Sequence, residues 1–355
     1  MAQRKYLTLD GIRGLAAATV VFWHASIIGM PSPSGAYLAV DLFFLMSGFV
    51  IALSYENKIR RGLGFASFMI IRLKRLYPLY ILGTALYLVY YALEPVFDPT
   101  KYDGPPSLLT TGLAATFFVP LKTTFGSGFL FPLSPVAWSL FFELLINGVF
   151  VLLLPILSNR VLIVLTAVCA ALLVACGVHF GTFDIGWDWS TFAGGFARVG
   201  FSFFAGVLLY RYRDALPKVV LPTPLILLAV LVMMFAPAKG PVALVLTGLV
   251  LLVGFPVLCG LAVQTEPQRR FAALFAFSGA ISYAIYALHH PLLRWGNGAA
   301  KAVHLAPLEH RWAALLVMLG VFVGCWLAFK FFDEPLRAWL ARGAASKAAK
   351  PDPAL

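Results

Sequence analysis

The chain has 355 residues, 61% of them hydrophobic and only 12% charged, with a net charge of +12. Soluble domains carry about 45–50% apolar and about 25% charged residues, so this much apolar surface exceeds what one core hides and must face lipid. A soluble enzyme, a disordered chain and a disulfide scaffold are excluded. The basic residues fall between apolar runs, which reads as membrane topology and not as a nucleic-acid surface.

A membrane-crossing helix needs about 20 mostly apolar residues. Ten spans are predicted, at 13–31, 37–55, 74–93, 136–155, 161–177, 195–211, 219–236, 241–263, 273–293 and 312–332. The stretch 108–121, bounded by Pro105-Pro106 and Pro120, is too short to cross and is expected to be re-entrant or interfacial. The fold class is therefore an all-α integral membrane bundle. With the N-terminus inside, all basic residues except Lys101, Lys122, Arg198, Lys239, Arg294, Lys301 and Arg311 fall in inner loops or inner span ends. Both termini are then cytoplasmic. No cleavable signal is expected, because the first apolar run ends in Met30-Pro31-Ser32-Pro33.

The membrane domain is expected over 1–342, with a disordered Ala/Lys/Pro-rich tail over 343–355. The stretches 94–107 and 178–193 read as external loops. Cys169, Cys176, Cys259 and Cys325 all lie in apolar segments without zinc-ligand or CxxC spacing, so no metal and no disulfide is expected.

Ionisable groups inside spans are costly and usually face a cavity or a partner. In the first span His24 follows Arg13 by a spacing that turns about three full helical turns and rises about 16 Å, so both share one face. A base and an anion clamp on one ligand fit that geometry. A packed histidine bonded to a backbone carbonyl and a snorkelling arginine fit it too. Asp41 opens the second span in an apolar context, as a cap or as one half of an ion pair. Arg72, Lys74 and Arg75 crowd the inner mouth of the third span, as a phosphate site or as ordinary anchoring cations. Ser139, Glu143 and Asn147 repeat at i, i+4, i+8 and form one polar stripe on an oily helix. His289, His290 and Pro291 are expected to end the ninth span at an outer mouth, after Ser282-Tyr283 and Tyr286. Arg198 lies deep in an outer span half, with Glu143 or Asp41 as its candidate partner.

Taken in order, these segments resemble the membrane-bound acyltransferase-3 family. The resemblance rests on Leu9-Asp10-Gly11-Ile12-Arg13-Gly14-Leu15-Ala16 with His24, and on Val40-Asp41-Leu42-Phe43-Phe44 with Ser47-Gly48-Phe49. It continues through Arg72-x-x-Arg75-x-x-Pro78, Trp138-Ser139-Leu140-x-x-Glu143, Ser282-Tyr283 with His289-x-Pro291, and Glu334-Pro335. The segments cover nearly the whole chain, and the ordered set is more specific than any one motif.

The resemblance implies an acyltransferase that takes an acyl group, commonly acetyl, from cytoplasmic acyl-CoA to a hydroxyl of a sugar or related acceptor. O-antigen, exopolysaccharide, peptidoglycan, lipo-oligosaccharides and macrolides are acceptor classes in the family. The positions of His24 and Arg13 are essential there, and the Arg-x-x-Arg motif is functionally important. On that pattern His24 and Glu143 are expected to be catalytic, with Glu143 orienting the imidazole. Arg13, Arg72 and Arg75 are expected to bind acyl-CoA. Asp41, Trp138, Ser139 and His289 are expected to face the acceptor from outside, with Asp10 in support. Acyl-CoA enters as donor substrate and no cofactor is bound. The other expected partners are a carbohydrate or lipid-linked glycan and the lipid bilayer, with no nucleic acid. The implied location is a bacterial inner membrane.

Some relatives carry a C-terminal extracellular hydrolase-like domain. This chain ends soon after its last span, so it is expected to act without one, alone or with a separate transferase partner. Many relatives also place a second acid directly after the position of Glu143, where this chain has Leu144. Direct attack and a covalent acyl-histidine relay remain open at this point. The competing class is a transporter of a lipid-linked sugar or small anion. Transporters often show internal repeats, and none is visible here.

Overall fold

A computed structural model describes residues 5–97, 107–122, 128–236, 240–305 and 310–348. They fold into a bundle of α-helices: α1 Leu7–His24, α2 Ala39–Arg60, α3 Phe65–Phe97, α4 Leu108–Thr116, α5 Ala137–Leu153, α6 Asn159–Phe180 and α7 Phe192–Tyr212. The chain continues through α8 Thr223–Met233, α9 Pro241–Leu249, α10 Phe255–Gln264, α11 Ala272–Ala302, α12 Arg311–Ala328 and α13 Glu334–Ala348. Among the described residues eight helical segments are long and apolar enough to cross a membrane, with α9 and α10 forming one of them. Two shorter apolar helices, α5 and α8, complete the set expected from hydropathy.

The lipid-facing elements are inside-out relative to a soluble fold. The most apolar window of α6 has a mean hydropathy of 2.9 and only 22% of it is buried. Val164, Leu172 and Val178 on α6, and Leu315, Leu316 and Leu319 on α12, stand exposed. That surface is tolerable only in hydrocarbon.

Two spans contain a π turn, at Val250–Gly254 and Phe329–Asp333. Each runs into a proline just downstream, Pro256 and Pro335. Proline has no N–H to give the carbonyl one turn earlier, and widening that turn accommodates the defect without breaking the helix.

The polar core is placed by three tight helix pairs, α1 on α11, α2 on α7 and α3 on α11. Helices α2 and α7 run parallel, with Asp41 beside Arg198 at one end and Glu56 beside Arg211 at the other. Between these ion pairs Gly48 and Gly206 bring the two backbones into contact. A Cβ at Gly206 would be driven into the Leu45 carbonyl oxygen, and one at Gly48 into that of Phe203. Gly206→Ala is therefore expected to cost about 1–3 kcal/mol, the usual penalty of overpacking. Thermal unfolding in detergent should show a lower Tm than wild type, and an unchanged Tm would contradict the packing.

Several boundaries differ from those expected from hydropathy. Helix α1 begins at Leu7 and ends at His24, where the chain tightens into one 3₁₀ turn, Ala25–Ile28, closed by Gly29 at φ 73°. His24 is thus the last α-helical residue and not a mid-helix one. Helix α3 runs to Phe97, past the expected loop start at 94, and residues 98–106 of that loop lie outside the described residues. Helix α11 continues through Pro291 to Ala302, so His289 and His290 lie inside a helix and do not end one. Helix α13 reaches Ala348, so residues 343–348 are helical where disorder was expected; 349–355 lie outside the described residues. Helix α1 stops short of its expected end, whereas α3, α11 and α13 outlast their apolar runs, because polar residues continue a helix wherever it leaves the bilayer.

The short segment at 108–121 forms α4, a nine-residue helix capped by the Ser107 side chain. It is too short to cross. The Tyr77 and Tyr80 hydroxyls hold it to α3 by donating to the Thr116 and Ala115 carbonyls at 2.9 and 2.6 Å.

Candidate active site

Two cavities lie end to end inside the bundle. The first, about 270 Å³, is lined by Arg13 of α1, Arg72 and Arg75 of α3, Glu143 and Ser139 of α5, and Ser282, Tyr283 and Tyr286 of α11. Three guanidinium groups thus share one chamber with one carboxylate. Glu143 accepts from Arg72 Nη2 at 2.9 Å and from the Ser47 hydroxyl at 2.9 Å. Arg75 makes no hydrogen bond or ion pair among the described residues, and the buried Arg72 Nε has no partner. Arg13 reaches only a loose ion pair with Asp10 at 3.9 Å. Such a surplus of under-satisfied cations, Arg72 buried and Arg13 and Arg75 partly exposed, is a site for an anion with several oxygens, such as a phosphate. A smaller cavity lined by Lys5, Asp10 and Arg13 adjoins it at the end of the bundle where the chain begins.

The second cavity, also about 270 Å³, is lined by Trp23 and His24 of α1, Tyr37, Trp138, Asp184, Trp187, Tyr286, and His290 and Arg294 of α11. Its rim is the loop between α6 and α7. There Asp188 Oδ1 accepts from Ser190 Oγ and from the Thr191 backbone N–H, and Trp187 O accepts from Leu130 N–H. Arg198 anchors this loop from below. Its Nη1 donates to the Ile185 carbonyl at 3.0 Å and lies 3.7 Å from Asp184. Partial burial raises the pKa of the Asp184 carboxyl, and the Arg198 guanidinium opposes that shift. Aromatic faces with interspersed hydrogen-bonding groups match the alternating C–H faces and hydroxyl edges of a sugar ring.

The two cavities share Val40 and Tyr286 as lining residues. The Tyr286 hydroxyl is hydrogen-bonded to Ser139. His24 stands just on the aromatic side of this constriction. Its Nδ1 lies 3.1 Å from the Val20 carbonyl and 3.0 Å from His289 Nε2. The His290 ring packs edge-on against it at 4.9 Å, held on its other side by the Tyr87 hydroxyl. Three histidines meet here, yet among the described residues no group of His, Cys, Asp or Glu is arranged to hold a metal ion.

Arg13, Arg72 and Arg75 line one chamber, and Trp138 lines the other beside His24. Four expected roles are relocated. Glu143 is held by Arg72 and Ser47, and the hydrogen bonds of His24 run to Val20 and His289, so Glu143 does not orient the imidazole. Asp41 does not face the second cavity. Only 1% exposed, it is consumed by three hydrogen bonds from Arg198 at 2.8–3.0 Å. Ser139 faces the arginine chamber and holds Tyr286. His289 is fully buried behind His24, and its neighbour His290 takes the cavity-lining place. A helix turns about 100° per residue, so adjacent residues cannot share a face.

Asp10 supports Arg13 at the chain-start end and not at the second cavity. Asn147, third in the stripe of α5, is buried outside both cavities with no partner for its amide. His290 and Tyr286 were detectable as lining residues, because Ser282, Tyr286 and His290 repeat at i, i+4, i+8 like the stripe of α5. Tyr87 and Arg294 carried no such signal.

The acyltransferase-3 family model, described as an acyltransferase domain, matches residues 6–330 of the chain. Protein 2 in the picA locus of Rhizobium radiobacter is 36% identical over 187 residues, which is 50% of this chain and 96% of that protein. The exopolysaccharide production protein ExoZ of Rhizobium meliloti is 27% identical over 322 residues, 87% of this chain and 90% of ExoZ. The peptidoglycan O-acetyltransferase OatA of Listeria monocytogenes is 24% identical over 364 residues, 94% of this chain and 56% of OatA. No solved structure matches.

Proposed function

This chain belongs to the acyltransferase-3 family, and on that premise we propose that it moves an acyl group, acetyl first, from acyl-CoA to a hydroxyl of a cell-surface or exported carbohydrate. The observation that carries this reading is the pair of cavities meeting at Val40 and Tyr286, arginine-lined on one side, aromatic and histidine-lined on the other. Donor phosphates rest on Arg72, Arg75 and Arg13, and the pantetheine arm points the thioester at the constriction. The acceptor sugar lies against Trp138 and Trp187. The excess of basic residues at the arginine end supports a cytoplasmic position for that end, in a bacterial inner membrane.

His24 takes the proton of the acceptor hydroxyl as its oxygen attacks the thioester carbonyl carbon. The tetrahedral intermediate collapses, the C–S bond breaks, and the CoA thiolate receives the proton from His24. Donor and acceptor approaching from opposite cavities can meet at the constriction, which supports direct transfer without an acyl-enzyme.

Purified protein in vesicles, given labelled acetyl-CoA and a mixed glycan pool, tests this. CoA release and label on a glycan are expected, and CoA release should require the acceptor. No release with acetyl-CoA or other short acyl-CoAs beside a competent acceptor pool overturns the reading. Within the same assay Arg75→Ala should raise KM for acyl-CoA about tenfold with little change in kcat, since one charge-assisted contact is worth about 1.5 kcal/mol. An unchanged KM would remove Arg75 from the donor site.

A further inference from the structure

His289 belongs to neither cavity, yet its ring nitrogens are fully committed. Its Nδ1 lies 2.9 Å from both the Ile285 and Tyr286 carbonyl oxygens. Carbonyl oxygens only accept, so Nδ1 carries the proton and the neutral ring presents a lone pair at Nε2. That Nε2 lies 3.0 Å from His24 Nδ1, which also lies 3.1 Å from the Val20 carbonyl. Both neighbours of His24 Nδ1 are then acceptors. His24 Nδ1 is the donor of a three-centre bond, and its own lone pair sits on Nε2.

We infer that His289 is a positioning residue: it holds His24 in the Nδ1–H tautomer, so that Nε2 is the nitrogen that removes the acceptor's proton. The Val20 carbonyl belongs to His24's own helix and constrains the ring only locally. His289 reaches across from α11 and fixes the ring plane between helices. When His24 gains a proton at Nε2, the Nδ1–H bond to the His289 lone pair becomes charge-assisted and tightens. An orienting carboxylate plays this part in a serine-hydrolase triad. Here a neutral imidazole fills the place that Glu143 leaves empty.

The tautomer itself is independent of the acyl-transfer reading; its catalytic consequence rests on that reading. Protein labelled with ¹⁵N-histidine in lipid nanodiscs reports the tautomer directly. The expected spectrum has His24 protonated at Nδ1 and bare at Nε2, and a resting Nε2–H form overturns the inference without any variant being made.

In the transfer assay His289→Leu should lower kcat about ten- to hundredfold while KM for acyl-CoA stays the same, the size of effect seen when an orienting partner is removed. His289→Gln keeps an acceptor at similar reach and should recover most of that loss. A fully active Leu variant, or a Gln variant as impaired as Leu, also overturns it. A wild type with the expected tautomer but no acyl transfer would sink the proposed function and leave the tautomer assignment standing.

Discussion

His24→Ala is expected to lose about a thousandfold in kcat, within the range of about 10²–10⁴ that a positioned general base contributes. The loss should fall on chemistry alone. His24 lines the aromatic cavity, while the three arginines line the other, so the variant should still retain acyl-CoA. The ring is half-buried at the edge of a cavity, and the protein should elute from size exclusion as wild type does. Acetyl-CoA turnover beside equilibrium binding of CoA separates the two effects. A folded variant keeping a tenth or more of wild-type turnover would remove His24 from the reaction.

The second large effect is on folding. Arg198 has no exposed surface and makes three hydrogen bonds to Asp41, with further ones to the Tyr37 and Ile185 carbonyls at 2.9 and 3.0 Å. Its guanidinium also lies 5.2 Å from the Trp138 ring. Removing one partner of a buried ion pair leaves an uncompensated charge and costs about 3–5 kcal/mol. Arg198→Met is therefore expected to abolish most of the monodisperse protein recovered in detergent. The double variant Asp41→Leu/Arg198→Met removes both charges and should recover folding, since a buried pair is often replaceable by apolar groups. It should not recover transfer, because the loop bearing Asp184 and Trp187 loses its anchor at Ile185. Equal yields from the single and double variants would show that the pair is not what holds α2 to α7.

The bundle was legible from hydropathy because each span is a local property of about 20 residues. The segment at 108–121 could be set aside on its length, its flanking prolines and the distribution of basic residues. Arg13, Arg72 and Arg75 stood out because charge is rare in this chain and their helical phase is calculable. Asp41 stood out too, but its role did not. Glu143 is the instructive case: a mid-span carboxylate advertises a partner, but the sequence pointed to Arg198 and His24, and helix packing chose Arg72 and Ser47 instead.

Composition, periodicity and the ordered motifs by themselves determined the class of this protein, a helical membrane bundle with cations at one end and a histidine farther along the same helix. Those features depend on short stretches of chain and on solvent. Tertiary structure alone decided that Arg198 closes on Asp41, that Glu143 is held by Arg72 and Ser47, and that His24 is held by His289. Each of those contacts joins residues far apart in sequence to within about 3 Å, and a hydrogen bond is lost within a few tenths of an ångström of that distance. Hydropathy places a helix to within a turn. The close approach of glycine-lined backbones and the rotation of each helix about its axis set which nitrogen meets which oxygen.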